Sequence, residues 1–292
     1  MASAEVRQIR RRIKSVESTM KITRAMELIA TSRIARARVR VTENKPYTEK
    51  MNDVIRNLGA GSGAVRHPLL ERRQVRSAGV VVVSSDRGLA GGYNSGVIRM
   101  AEHRMHDLQE EGKSVRLYTV GDRGKSYFAY RKFDIERAWL GVTDTPGYGD
   151  ARMIGNTLLE EYETAKVDSV EVFTTRYVTA LTQRPEQWLV LPIEPPEAGE
   201  KSGPSVGYTF EPSAEDILAR LLPRYLEGTI FGMLLEASAS EHAARRRAMK
   251  AATENAEELV RLLTREANQA RQAEITTEIS EIVGGAEALA NG

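Results

Sequence analysis

The chain has 292 residues, 41% of them hydrophobic and 28% charged, enough for one large or two medium domains with a real core. With no cysteine, disulfides, thiolate zinc sites and thiol nucleophiles are excluded, and no apolar run reaches the ~18 residues of a membrane span. The net charge of +2 hides an asymmetry: residues 1–57 hold 14 Lys/Arg against 6 Asp/Glu, and residues 211–292 hold 9 against 14. Ends of opposite sign attract one another or read different partners.

The basic start MASAEVRQIRRRIKSVEST lacks an apolar h-region, so no signal peptide is expected and a cytoplasmic protein is the default. Residues 1–57 form a helical segment. Val6, Ile9, Ile13, Val16 and Met20 recur at steps of three and four, and a shifted stripe continues through Ile22, Met26, Ile29, Ile34, Ala37 and Val41. Pro46 predicts a kink or a short break, and the glycine cluster LGAGSGAVRHP closes the segment.

The middle, about residues 75–200, alternates strand and helix. GVVVVSSD, VRLYTVG, FDIERAWL and DSVEVFTTRYV read as strands with helices between them. QWLVLPI is a fifth strand, set after a turn at Gln183–Pro185 and therefore a candidate antiparallel neighbour. This alternation predicts an open, largely parallel, Rossmann-like sheet with helices on both faces. PIEPPEAGEKSGPS reads as a linker.

Residues 211–289 form a second long helical segment. Its stripe runs through Ala237, Ala244, Ala248, Ala251, Ala252, Ala256, Leu259, Leu262, Leu263 and Ala270, with Pro223 a possible bend near the start. At 1.5 Å per residue, about 55 and about 75 helical residues span roughly 80 and 110 Å, too long to fit inside a globule of this size. The fold expected is an α/β domain inserted between N- and C-terminal helices that pair as an antiparallel coiled coil.

No constellation in the sequence looks catalytic. The loop in GVVVVSSDRGLAGGYN lacks Gly-x-x-x-x-Gly-Lys-Ser/Thr and Gly-x-Gly-x-x-Gly, and Asp86 at its mouth repels phosphate. It reads as a tight turn or a contact surface rather than a nucleotide site. Of four histidines (His67, His103, His106, His242), only His103 and His106 share a helix face, and a third metal ligand is lacking. SRIARARVR places Arg33, Arg36 and Arg40 on one side. That side could meet nucleic-acid phosphates, a membrane surface or acidic protein side chains, or it could simply be a solvated face.

KITRAMELIATSRIARA (21–37), SSDRGLAGGYN (84–94), ASEHAARRRAMKAATENAEELV (239–260) and NQARQAEITTEISEIVGGAEAL (268–289) together resemble the γ-subunit family of bacterial F-type ATP synthases, over essentially the whole chain. The resemblance implies a rotor shaft without catalytic residues, cofactor or metal of its own. Its partners would be the α and β subunits that carry the nucleotide sites, the ε subunit and the membrane c-ring, with no nucleic acid. It would sit on the cytoplasmic face of the plasma membrane, reaching the bilayer only through the c-ring. It implies that Lys21, Arg24, Met26, Arg33, Arg36, Arg271, Gln272, Thr276 and Glu278 meet β. Ile282, Val283, Ala286 and Leu289 would form a tip turning in an apolar collar. Asp86, Arg87, Tyr93, Phe210 and Glu211 would lie in a foot against ε and the c-ring. Glu274 departs from the small residue of many relatives.

Overall fold

The computed structural model describes residues 4–61, 67–194 and 214–290. Phe210 and Glu211, and most of the expected linker, lie outside them. The chain divides into two compact units: Met1–Ile29 with Arg246–Gly292, and Ala30–Arg245. The division falls inside the two longest helices, α1 (Ala4–Gly61) and α5 (Ala214–Ala290).

In the larger unit, β1 (Ser77–Val83), β2 (Ser114–Val120), β3 (Ile135–Trp139), β4 (Ser169–Tyr177) and β5 (Gln183–Leu191) form one sheet in the order β3-β2-β1-β4-β5. All neighbours are parallel except β4 and β5. Helices α2 (Tyr93–Glu110), α3 (Asp122–Tyr130) and α4 (Tyr148–Glu163) connect the parallel strands. The valine run of β1 is apolar throughout because both faces are covered. Val81 and Val83 enter a core completed by α4 and by Leu222, Leu226 and Ile230 of α5. Val80 and Val82 enter a second core with Val97 and Met105 of α2 and Phe128 of α3.

Two sequence expectations change within the larger unit. The turn before β5 is not at Gln183–Pro185: the chain reverses at residues 178–182, where the backbone N–H groups of Val178 and Thr179 donate to the Thr182 carbonyl. Pro185 then lies within β5, an edge strand, where a missing donor costs least. Of the kink or short break expected at Pro46, the break does not occur: α1 runs through it without interruption. The side chain is exposed, so the carbonyl it orphans one turn earlier can be hydrated.

In the smaller unit the two helices run antiparallel: Ile9 packs with Leu263 and Ala267, while Thr23 meets Thr253. The buried positions on the C-terminal helix are Met249, Thr253, Ala256, Leu263 and Ala267, with Val260 and Ala270 half-buried. Their steps of four and three are a heptad seam. The facing seam is Val6, Ile9, Ile13, Val16, Met20 and Thr23. The stripe therefore does not shift at Ile22. Thr23 takes the seam position, which leaves Ile22 and Ile29 at 59% and 55% exposure. Leu259 and Leu262 likewise lie off the seam and are exposed.

Candidate functional site

The turn after β1 is built from its own polar groups. The Ser85 amide donates to Asn94 Oδ1 (2.9 Å), and Ser85 Oγ donates to the Arg87 carbonyl (2.6 Å). Gly124 N donates to Ser84 Oγ at 2.8 Å. Gly121, at φ +91°, brings the strand-to-helix turn so close that an added Cβ would sit 2.2 Å from the Ser84 carbonyl oxygen. Asp86 accepts from the amides of Gly141 (2.8 Å) and Thr143 (3.0 Å) and from Thr143 Oγ1 (3.0 Å). Its carboxylate thus ties the β1 turn to the loop after β3.

Tyr93 does not face outward. At 6% exposure it packs against Ala90 and Ala244, and burial pushes its hydroxyl pKa well above the ordinary value. What the turn presents is Arg87 and Leu89. Leu89 takes φ +63°, rarely adopted by a non-glycine residue, and projects its apolar side chain outward.

Behind the turn lies a charged network that sequence reading passed over. The Arg245 guanidinium donates to Glu241 Oε1 (2.6 Å) and to the carbonyls of Arg87 (3.2 Å) and Gly88 (3.4 Å). It also donates to His242 Nδ1 at 3.4 Å, so the other ring nitrogen, 3.1 Å from the Asp144 carbonyl, carries the proton and donates. Arg33 pairs with the Asp144 carboxylate, and Arg40 donates to the Pro146 carbonyl. Burial, opposed by the Arg245 charge, raises the Glu241 pKa; burial lowers that of His242. Asp144, Glu241 and His242 stand close enough to share a cation, but the Arg245 guanidinium already holds Glu241 Oε1 and His242 Nδ1, and Arg33 holds the Asp144 carboxylate. Two fixed cations therefore stand where a metal would have to bind, and Glu241 Oε2 is left without a hydrogen-bond partner among the described residues. The only signal was the charged EH–R in the alanine-rich ASASEHAARRRA, where polar residues face a helix that is otherwise buried.

In the smaller unit Lys21 and Arg24 are exposed and Met26 is half-buried. Arg24 lies 3.8 Å from Glu257 across the helix pair. Arg271, Gln272, Thr276 and Glu278 are all exposed, and from Ile275 to Ala286 every side chain is exposed. Ile275, Ile279 and Ile282 follow helical spacing on this stretch, with Ile282 at 71% and Val283 at 58% exposure. The side chain of Leu289 lies outside what the structure describes. In the larger unit Arg36 is exposed, while Arg33 is consumed by Asp144. His103 and His106 are exposed on α2, and His106 meets the edge of Phe133.

A five-stranded α/β sheet together with two helices of 58 and 77 residues defines the class of protein by its architecture. The family model described as ATP synthase matches residues 5–289. The ATP synthase gamma chain of Saccharopolyspora erythraea is 47% identical over 99% of this chain and 98% of its own length, and that of Frankia casuarinae is 48% identical over 99% of each. Among solved structures, a chain of the Euglena gracilis mitochondrial ATP synthase in rotational state 3 shares the fold at a TM-score of 0.68 and 17% identity, covering 98% of this chain and 94% of that one. A chain of the Tetrahymena thermophila mitochondrial central stalk and c-ring gives 0.59 and 20%, covering 79% and 99%. The chain belongs to the ATP synthase gamma-chain family. No helix among the described residues is long and apolar enough to cross a membrane.

Proposed function

We propose that this chain is the central rotor shaft of a proton-driven ATP synthase. It couples rotation of a membrane c-ring to sequential changes at catalytic sites on β subunits, in synthesis and in ATP-driven proton pumping. The observation that carries the proposal is the end of α5: a continuous helix whose last described turns expose Ile275, Ile279 and Ile282 on one side. An apolar stripe on a helix that buries none of it calls for a surrounding apolar surface.

The heptad pairing of the smaller unit supplies a stiff lever. The α/β body supplies a platform for ε and the c-ring. On this reading Arg271, Gln272, Thr276, Glu278, Lys21, Arg24, Met26 and Arg36 meet β, Ile282, Val283 and Ala286 turn within the collar, and Arg87 is the exposed part of the foot. Arg33 serves the foot's internal packing before any contact with β. Rotation imposes different contacts on three otherwise equivalent sites, and each site shifts its population accordingly. The chain itself contributes no catalytic group: the turn after β1 spends its donors internally, and Asp86 gives that turn negative charge where a phosphate would sit. It is peripheral to the membrane, on its cytoplasmic face.

Reconstitution with the matching α and β subunits tests this. ATP hydrolysis should show cooperativity among the sites with the chain and lose it without. Equal cooperativity in both preparations contradicts the proposal.

A further inference from the structure

A cavity of about 350 Å³ lies between α1, α5 and the β4–β5 edge of the sheet, entirely within the larger unit. That volume falls in the range of small-molecule sites, at its lower end. Its existence traces to α5: Gly228 and Gly232, one turn apart, let α1 approach so closely that a Cβ at Gly228 would meet the Tyr47 ring at 3.2 Å. An added Cβ at Gly232 would meet Asn44 Nδ2 at 3.3 Å. The space beside this close contact is left unfilled.

The lining carries both signs of charge and an apolar wall. Glu236 on α5 and Lys45 on α1 face the cavity, with Trp188 and Tyr225 as its aromatic surfaces. Two polar atoms that line it are buried without a hydrogen-bond partner among the described residues: Asn52 Oδ1 and Thr174 Oγ1. Thr174 is almost wholly buried, and a hydroxyl left unsatisfied there is costly. Burial raises the Glu236 pKa, against the Tyr177 amide and the nearby Arg176 charge.

We propose that this cavity is a binding site for a small zwitterion with an apolar body, the size of a free amino acid. An ammonium group would answer the acceptors Glu236 and Asn52 Oδ1, a carboxylate would answer Lys45 and the Thr174 hydroxyl, and the apolar body would lie on Trp188 and Tyr225. A bound molecule braces α1 against α5 and the sheet edge by binding only the folded arrangement.

The test uses the full chain and L-phenylalanine as the probe, read by saturation-transfer NMR and calorimetry. 2-Phenylethylammonium and 3-phenylpropionate, each lacking one charge, serve as comparison ligands. Phenylalanine should bind saturably and each single-charge analogue at least about tenfold more weakly. Lys45→Met, at a solvent-accessible position on the rim of the cavity, should weaken phenylalanine to the level of the amine while leaving the amine unchanged. Glu236→Gln should do the reverse for the acid. No saturable binding of phenylalanine at millimolar concentration, equal binding of all three ligands, or indifference to Lys45→Met would each overturn the proposal.

Discussion

Thr23 Oγ1 and Thr253 Oγ1 lie 2.7 Å apart, buried in the seam between the two antiparallel helices. Each hydroxyl also reaches a carbonyl of its own helix, Met20 at 3.0 Å and Met249 at 2.9 Å. Three contacts therefore share two protons, and the cross-helix bond is the one that specifies register. A polar pair in an apolar heptad seam trades stability for a unique alignment. Thr253→Val should destabilise the helix pair by about 1 kcal/mol, because Thr23 loses its cross-helix partner. Thr23→Val with Thr253→Val should recover most of that loss but allow register slippage. Hydrogen exchange in residues 5–25 and 250–270 reads both outcomes. A double variant weaker than the single would contradict the assignment.

The same pair explains why the seam was misread from sequence. Periodic reading followed the apolar residues and stepped to Ile22, since a threonine does not score as core. The structure keeps the heptad and places the threonine inside, leaving Ile22 and Ile29 for other surfaces. By contrast, the strands were legible, because a run such as Val80–Val83 buried on both faces has one interpretation. For the candidate site residues, exposure was legible and side-chain pairing was not. Arg271, Gln272, Ile282, Val283 and Ala286 stand on the surface, but the inward turn of Tyr93 and the pairing of Arg33 with Asp144 depend on contacts between residues more than 100 positions apart. No local pattern encodes those.

The buried network makes stability depend on pH. Burial lowers the His242 pKa below 6.5, opposed by Asp144 and supported by the Arg245 and Arg33 charges. The unfolded chain therefore binds a proton more readily, and this residue costs stability as pH falls through about 6.5 and below. Glu241, with its raised pKa, acts in the opposite sense, costing stability as pH rises above the ordinary carboxylate value of 4.5. From pH 7.5 to 6 the histidine contributes a fall in the urea midpoint of the α/β body, on top of whatever slope the carboxylates Glu241 and Glu236 add. His242→Gln, which retains a donor toward the Asp144 carbonyl, should flatten that slope. An unchanged slope in this variant would assign the dependence elsewhere.

Arg33 and Arg36, one turn apart, should separate folding from coupling. Arg33→Glu sets a carboxylate against Asp144 in a half-buried site and should cost about 2 kcal/mol or more in denaturant unfolding. Arg36→Glu, on an exposed side chain, should leave unfolding within about 0.5 kcal/mol and lower the protons pumped per ATP. Equal effects of the two on stability would show that the Asp144 pair contributes nothing.

The exposed end of α5 offers the converse case. Val283→Lys should not change the unfolding midpoint by more than about 0.5 kcal/mol, since the side chain is exposed. Within the assembled complex it should slow turnover, because a charge in an apolar collar is desolvated at a cost. Full turnover in this variant would place the tip in water rather than in a collar.

The most direct measurement of the shaft proposal uses the lack of cysteine. Tyr130→Cys, at a position 84% exposed, creates the chain's only thiol and a unique handle for a bead. With α and β subunits fixed to a surface and ATP supplied, the bead should turn in one direction in three equal steps. Undiminished hydrolysis with a stationary or randomly fluctuating bead would contradict the claim that this chain is the rotor.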